Sequence, residues 1–164
     1  MNSKLIIIRG NSGSGKTTTA QLLQEKLGEG TLLVSQDIVR RQMLRANDNV
    51  GEISTDLLKT IVDFGMHKCS FVILEGILTH KKHGQMLKEL FTTYPNTYIY
   101  YFDIPFEETL KRHAHKLNVD FGEKEMKRWF LDKDFLNLPN EKTIKMNKSQ
   151  NEVVSNIIKD VMDN

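Results

Sequence analysis

Two rhythms of apolar residues alternate along this 164-residue chain, and their alternation predicts most of its architecture. The first is a short unbroken run, as at 5–8 (Leu-Ile-Ile-Ile), 31–35 (Thr-Leu-Leu-Val-Ser), 71–74 (Phe-Val-Ile-Leu) and the aromatic-rich 97–102. Runs of this length, rich in β-branched or aromatic side chains, predict strands covered on both faces. A fifth short strand is expected over 142–146. The second rhythm repeats about every four residues. It places Ala20, Leu23 and Leu27 on one stripe of 16–27, with Gly28 set to stop the helix. From Ser54 it pairs Leu57-Leu58, Ile61-Val62 and Gly65-Met66; over 79–92 it turns Met86, Leu87, Leu90 and Phe91 inward. Near the end it gives Val153-Val154, Ile157-Ile158 and Val161-Met162. Each predicts an amphipathic helix, and shorter helices are expected over 38–45 and 107–115. The polar stretch 46–52 reads as a loop. Residues 116–134, mixed in charge and weakly periodic, read as a mobile insert with one short helix near 123–130.

Strands that alternate with helices predict an α/β fold: a five-stranded parallel sheet with helices on both faces, a three-layer sandwich joined by right-handed crossovers. Repeats, low-complexity tracts and linkers are lacking in the sequence, so residues 1–164 are expected to form one domain. In such folds sites gather at the carboxyl edge of the sheet. That directs attention to the residues just past each strand: 10–17, Asp37, Glu75 and Asp103.

The first of these carries the most specific motif. Gly10-Asn11-Ser12-Gly13-Ser14-Gly15-Lys16-Thr17 fits glycine, any four residues, glycine, lysine and a hydroxyl residue, the Walker A pattern, in its required setting between a strand and a helix. Glycines let successive backbone N–H groups turn inward around phosphate oxygens. Lys16 adds a positive charge near the β and γ phosphates, and the following helix favours the same anion through its dipole and free amides. Thr17 can offer its hydroxyl to Mg²⁺. Residues Gly10 through Thr18 are therefore the candidate ATP-binding set.

Charge and cysteine content narrow the partners. With 23 basic against 21 acidic side chains the net charge is +2, which gives no global field toward nucleic acid. A lone cysteine, Cys69, forms no intrachain disulfide and reads as a packing residue. No signal peptide precedes the first strand and no apolar run nears the ~20 residues of a membrane span. A cytoplasmic protein without membrane attachment, monomer or homodimer, is expected.

On these residues the sequence resembles the P-loop small-molecule and nucleotide kinases, nucleoside and uridine kinases included. The segment Ser35-Gln36-Asp37 followed by Arg40 is similar to the acceptor segment of antibiotic phosphotransferases, zeta toxins and polynucleotide 5′-kinases. The resemblance implies sheet order 2-3-1-4-5, ATP and Mg²⁺ as donor and cofactor, and a small hydroxyl-bearing acceptor such as a nucleoside, nucleotide, sugar or antibiotic. Asp37 becomes the candidate base, its alternative being an N-cap for a helix starting at Ile38. Arg40 would face acceptor or phosphate. Glu75 stands where most relatives keep an aspartate in the magnesium shell, so it serves either the metal or the acceptor. The insert 116–134 takes the place of the lid that closes over the phosphates, with Arg112 at its base as a catalytic candidate. Lys116, Lys124, Lys127 and Arg128 are candidate phosphate clamps, although lysine lacks the planar fork of arginine. His113 and His115, two apart, do not suit a shared metal. Trp129 and Phe130 read either as a stacking platform or as an anchor for the lid. Residues 146–149 should border the adenine, since Asn147-Lys148-Ser149-Gln150 lacks the acid of a guanine-reading segment. Two other readings stand beside the small-molecule kinase: a polynucleotide 5′-hydroxyl kinase, and an ATP-binding regulatory protein without an acceptor.

Overall fold

The apolar run behind the glycine loop lies at the centre of the sheet because both its faces must be covered. β1 (Lys4–Gly10) is flanked by β3 (Phe71–Gly76) and β4 (Thr97–Phe102), with β2 (Leu32–Ser35) and β5 (Glu141–Ile144) outside them. All four pairings are parallel and the order is β2-β3-β1-β4-β5, as expected. The computed structural model describes residues 2–47 and 51–163; of the predicted loop 46–52, residues 48–50 lie outside that range.

Alternation along β1 divides the core in two. Leu5 and Ile7 face α3 (Gly51–Lys68) and α4 (His80–Thr93), meeting Leu58, Val62, Met86, Leu87 and Leu90. Ile6 and Ile8 face α1 (Lys16–Leu27) and α7 (Gln150–Met162), meeting Ala20, Leu23, Val154 and Ile157. Each such fully buried side chain contributes about 1.5–3 kcal/mol of transfer free energy, so the sheet and its two helical layers hold one another. Half-buried Cys69 packs against the first of these clusters, as its packing role requires. No helix among the described residues is long and apolar enough to cross a membrane.

Several boundaries differ from the pattern-based expectation. Instead of one helix over 38–45, the chain turns at once after β2 into a three-residue helix α2 (Gln36–Ile38) and then a π-helical turn, Val39–Met43. Ser35 is its extended N-cap residue, so Asp37 lies in the first turn and is not the cap of a helix starting at Ile38. β3 runs two residues past its apolar core, which places Glu75 inside the strand, in register with Ile8 and with Ser35. The last strand is shorter than 142–146 and begins one residue earlier, at Glu141.

The 116–134 insert is of two kinds. After α5 (Phe106–Ala114) residues 115–120 are exposed, whereas α6 (Glu123–Trp129) buries Met126 and the chain beyond it buries Leu136 against the first core. Phe121 and Phe130 lie edge-on to Trp129 and Phe106, with ring centres 5.1 and 5.4 Å apart. Trp129 and Phe130 are thus packed as anchors of α6. Polar residues dominate its sequence because its outer face is solvated; the inward i, i+4 pair of buried Met126 and half-buried Phe130 is too short a signal to register as a period.

Candidate active site

The glycine loop leaves β1 between the carboxyl ends of β3 and β4 and enters α1 through Gly15, whose φ of 91° is left-handed. No side chain caps that helix, so its first amides face the loop's interior without a competing acceptor. Gly13 must be glycine on two counts: its φ is +77°, and a Cβ there would lie 2.6 Å from the carbonyl oxygen of Thr109 in α5. The loop is thereby pressed against α5. From the same helix Arg112 donates through Nη1 to the Ser14 carbonyl at 2.8 Å and through Nε to Glu108 at 3.0 Å. The expected arginine at the base of the insert thus grips the loop itself.

Lys16 is buried and folds back over the loop, donating to the Asn11 carbonyl at 3.1 Å. Burial pulls its pKa down to about 8; Lys116 acts in the same direction, while Glu75 and Asp37 oppose the shift. An ammonium so desolvated gains most from an anion brought to it.

Beside it three oxygen-bearing side chains converge. Glu75 is 2% exposed; its Oε2 accepts from the Thr17 hydroxyl at 3.1 Å and its Oε1 from the Ser35 hydroxyl at 2.7 Å. Strand register sets Ser35 opposite Glu75, and the motif sets Thr17 beside Lys16. These are hard oxygen donors with one carboxylate among them, and no cluster of three or more His, Cys, Asp or Glu able to hold a metal occurs among the described residues. Such a sparse set fits Mg²⁺, which keeps several waters and takes further oxygens from phosphates.

Asp37 stands apart from this buried group. Its side chain is 66% exposed and paired with Arg40 at 3.4 Å and Arg41 at 2.8 Å, through the turn that brings both arginines back over it. It is still close enough to Lys16 for its charge to be felt there.

On the other side of the loop lies a cavity of about 510 Å³. Lys16, Arg112, Lys116, Lys145 and Lys148 give it a cationic wall, with His115 beside them, and Phe102, Ile104, Met146 and Val153 an apolar one. Thr17 and Thr18 also border it, and Met146 and Lys148 sit where the adenine border was expected. Of the candidate clamps only Lys116 reaches it. Lys124, Lys127 and Arg128 lie on the exposed face of α6, Arg128 over the Trp129 ring at 5.9 Å. His113 turns inward, stacked on Phe121 at 4.8 Å with its Nε2 2.8 Å from the Phe121 carbonyl, while His115 faces the cavity, so the two share no site. Asp103 joins the sheet edge through its own N–H, which donates to Ile144.

Sequence reasoning missed Arg9 altogether, and of Ser35 and Asn11, both inside its candidate segments, it missed the contacts. Ser35 holds Glu75, which only strand register reveals. Asn11 sends its side chain to Leu131 and gives only its backbone to the loop's interior. Arg9, fully buried, binds Asp134 at 2.8 Å and Glu141 at 2.9 Å, donates to the Leu78 carbonyl, and lies 5.1 Å from the Tyr101 ring centre. A charged residue ending the run Leu5–Ile8 was the available signal.

Among known proteins, the model of a family described as an AAA domain matches residues 5–129. No curated protein matches the chain. Similar solved structures include APS kinase from Mycobacterium tuberculosis in complex with AMPPNP and APS, at TM-score 0.74 and 18% identity over 99% of both chains. Shikimate kinase from Acinetobacter baumannii, in complex with shikimate, aligns at TM-score 0.65 and 20% identity over 98% of this chain and 94% of that one. A gluconokinase from Sinorhizobium meliloti aligns at TM-score 0.67 and 12% identity, covering 94% and 89%. At these identities the likeness is one of fold.

Proposed function

Since the chain belongs to this AAA domain family of P-loop proteins, we propose that it is an ATP-dependent phosphotransferase acting on a hydroxyl group of a small molecule, with residues 1–164 working as one kinase domain. The observation that carries this reading is the meeting of Lys16, Thr17 and Glu75 next to a cationic and apolar cavity, with exposed Asp37 near enough for its charge to act on Lys16. The cavity suits a nucleoside triphosphate: the phosphates along Lys16, Arg112 and Lys116, the base between Phe102 and Met146. The solved kinases of the same fold that carry AMPPNP with APS, or shikimate, support a donor and a small acceptor bound together.

Thr17 and Glu75 would hold Mg²⁺, which when bound supplies positive charge to the phosphate oxygens. The remaining work falls to the chain. Loop amides and Lys16 fix the terminal phosphate and neutralise charge that builds on its oxygens. Asp37 orients the acceptor hydroxyl and takes its proton as the oxygen bonds to the γ-phosphorus, while the bond from that phosphorus to the bridging oxygen breaks and ADP leaves. Arg40 and Arg41, released from Asp37, would then meet the acceptor or the transferred phosphate.

The test is a coupled assay for ADP release over a panel of nucleosides, nucleotides, sugars and aminoglycosides. At least one acceptor should raise ADP release and emerge phosphorylated. Binding of MgATP with no acceptor-stimulated turnover across hydroxyl compounds of all four classes would favour the regulatory ATPase instead.

A further inference from the structure

Asn11 joins the glycine loop to the segment after α6 by a reciprocal pair of hydrogen bonds that phosphate binding does not require. It is 6% exposed and does not line the cavity beyond Lys16. Its Nδ2 donates to the Leu131 carbonyl at 2.7 Å, and the Leu131 N–H donates back to Oδ1 at 2.9 Å. Both partners at 131 are main chain, so the contact fixes the backbone two residues past α6 whatever side chain stands there. The carbonyl of Asn11 is engaged as well, accepting from Lys16 Nζ at 3.1 Å and from Ser14 N at 3.2 Å. One residue thus carries the phosphate-binding lysine on its carbonyl and the end of α6 on its side chain.

The segment beyond has little slack with which to absorb a movement. The Tyr101 hydroxyl approaches the Leu131 carbonyl at 3.4 Å and accepts from Asp134 N at 3.1 Å. Arg9 then holds both Asp134 and Glu141. Met126 and Trp129 of α6, with Phe130 just past it, line a small cleft together with Asn11, Ser12, Ile77 and Thr109, and Ile77 lies two residues past Glu75. That cleft is across the loop from the nucleotide-sized cavity.

We propose that Asn11 is a positioning residue that couples nucleotide binding to the seating of α6. A phosphate that draws Lys16 from the Asn11 carbonyl alters the loop at Asn11, and the side-chain amide passes the change to Leu131 and hence to the Trp129 wall of the cleft. The inference rests on the reading of the loop as a nucleotide site.

Trp129 is the chain's one tryptophan, so intrinsic fluorescence reports on α6 directly. The full chain is titrated with a non-hydrolysable ATP analogue and magnesium, binding is followed by calorimetry, and emission is compared at saturation so that differences in affinity drop out. The wild type should change its Trp129 emission as nucleotide saturates. Asn11→Ala should bind and lose most of that change, and Asn11→Asp, which keeps the acceptor for Leu131 N and loses the donor, should fall between. A purely structural clamp would lower the melting temperature of Asn11→Ala and leave the emission change per bound nucleotide intact, which overturns the proposal. Should Asn11→Ala not fold, hydrogen exchange in the wild type decides: nucleotide should alter exchange at the Leu131 amide, and unaltered exchange there overturns the coupling. Calorimetry showing no nucleotide binding by the wild type would overturn the functional reading along with it, whereas binding with silent Trp129 and Leu131 would remove the coupling alone.

Discussion

Lys16 is the residue at which burial and function act against each other. Its charged form is disfavoured by desolvation, which sets its pKa near 8 against an ordinary 10.5. The unfolded chain therefore binds more protons at this position between about pH 8 and 10.5, so Lys16 costs stability at neutral pH and that cost fades as pH rises through the window. A bound polyphosphate reverses the preference. Nucleotide binding at pH 8.5 should take up part of a proton, seen by calorimetry in buffers of different ionisation enthalpy, and the uptake from Lys16 should vanish near pH 6.5. Asp37 makes a separate claim. Asp37→Asn should leave nucleotide affinity nearly unchanged and cut phosphoryl transfer by about 10²–10⁴, the usual worth of a positioned base; full turnover in that variant would remove Asp37 from the role. Lys16 and Thr17 were legible in the sequence because the motif's spacing is set by the covalent chain. Ser35 was legible only as part of a segment, because its bond to Glu75 depends on the register of two strands forty residues apart in sequence.

Elements joined through Arg9 depend on a charge held wholly out of water. Its guanidinium binds β1 to the turn before α4 through Leu78, to the segment after α6 through Asp134, and to β5 through Glu141. Without Arg9, Asp134 and the nearly buried Glu141 lose their counter-charge and keep only backbone N–H donors, so Arg9→Met should destabilise the protein by about 3–5 kcal/mol in urea unfolding. A loss under 1 kcal/mol would mean that solvent reaches the carboxylates on its own. Longer elements followed from apolar periodicity, and α1 and β4 fall on their predicted residues. Among the shorter ones α5 and α6 fall within a residue of their predicted spans, whereas the helix predicted over 38–45 does not form as one piece. α2 and its π-helical turn satisfy the backbone within eight residues, too few for a repeat to show. The mobile reading of the insert rests on its polar composition; its short helix near 123–130 forms, and the packing of Met126, Phe130 and Leu136 ties that half to the body of the protein.

For the molecule as a whole, sheet order and layer arrangement were available from the strand-and-helix alternation together with the motif's known family, whereas the identity of the acceptor was not. The side proposed for the acceptor lies around Asp37, in α2 and the turn after it, where the sequence pattern is weakest. Global stability should carry a second pH signature. Burial, aided by Lys82, lowers the pKa of His83 to about 4 from 6.5, so the folded protein keeps this ring neutral while the unfolded chain takes up a proton. Stability is then lost as pH falls from about 6.5 toward 4, by up to about 1.4 kcal/mol per unit from this group. Urea midpoints of His83→Gln should decline less over that interval than those of the wild type. The central claim is that the loop at 10–17 binds a nucleoside triphosphate through Lys16, and calorimetric titration of wild type and Lys16→Met with a non-hydrolysable ATP analogue and magnesium tests it most directly. The account predicts saturable one-site binding by the wild type and none at millimolar nucleotide by the variant; a flat wild-type titration, or equal binding by both proteins, would contradict it.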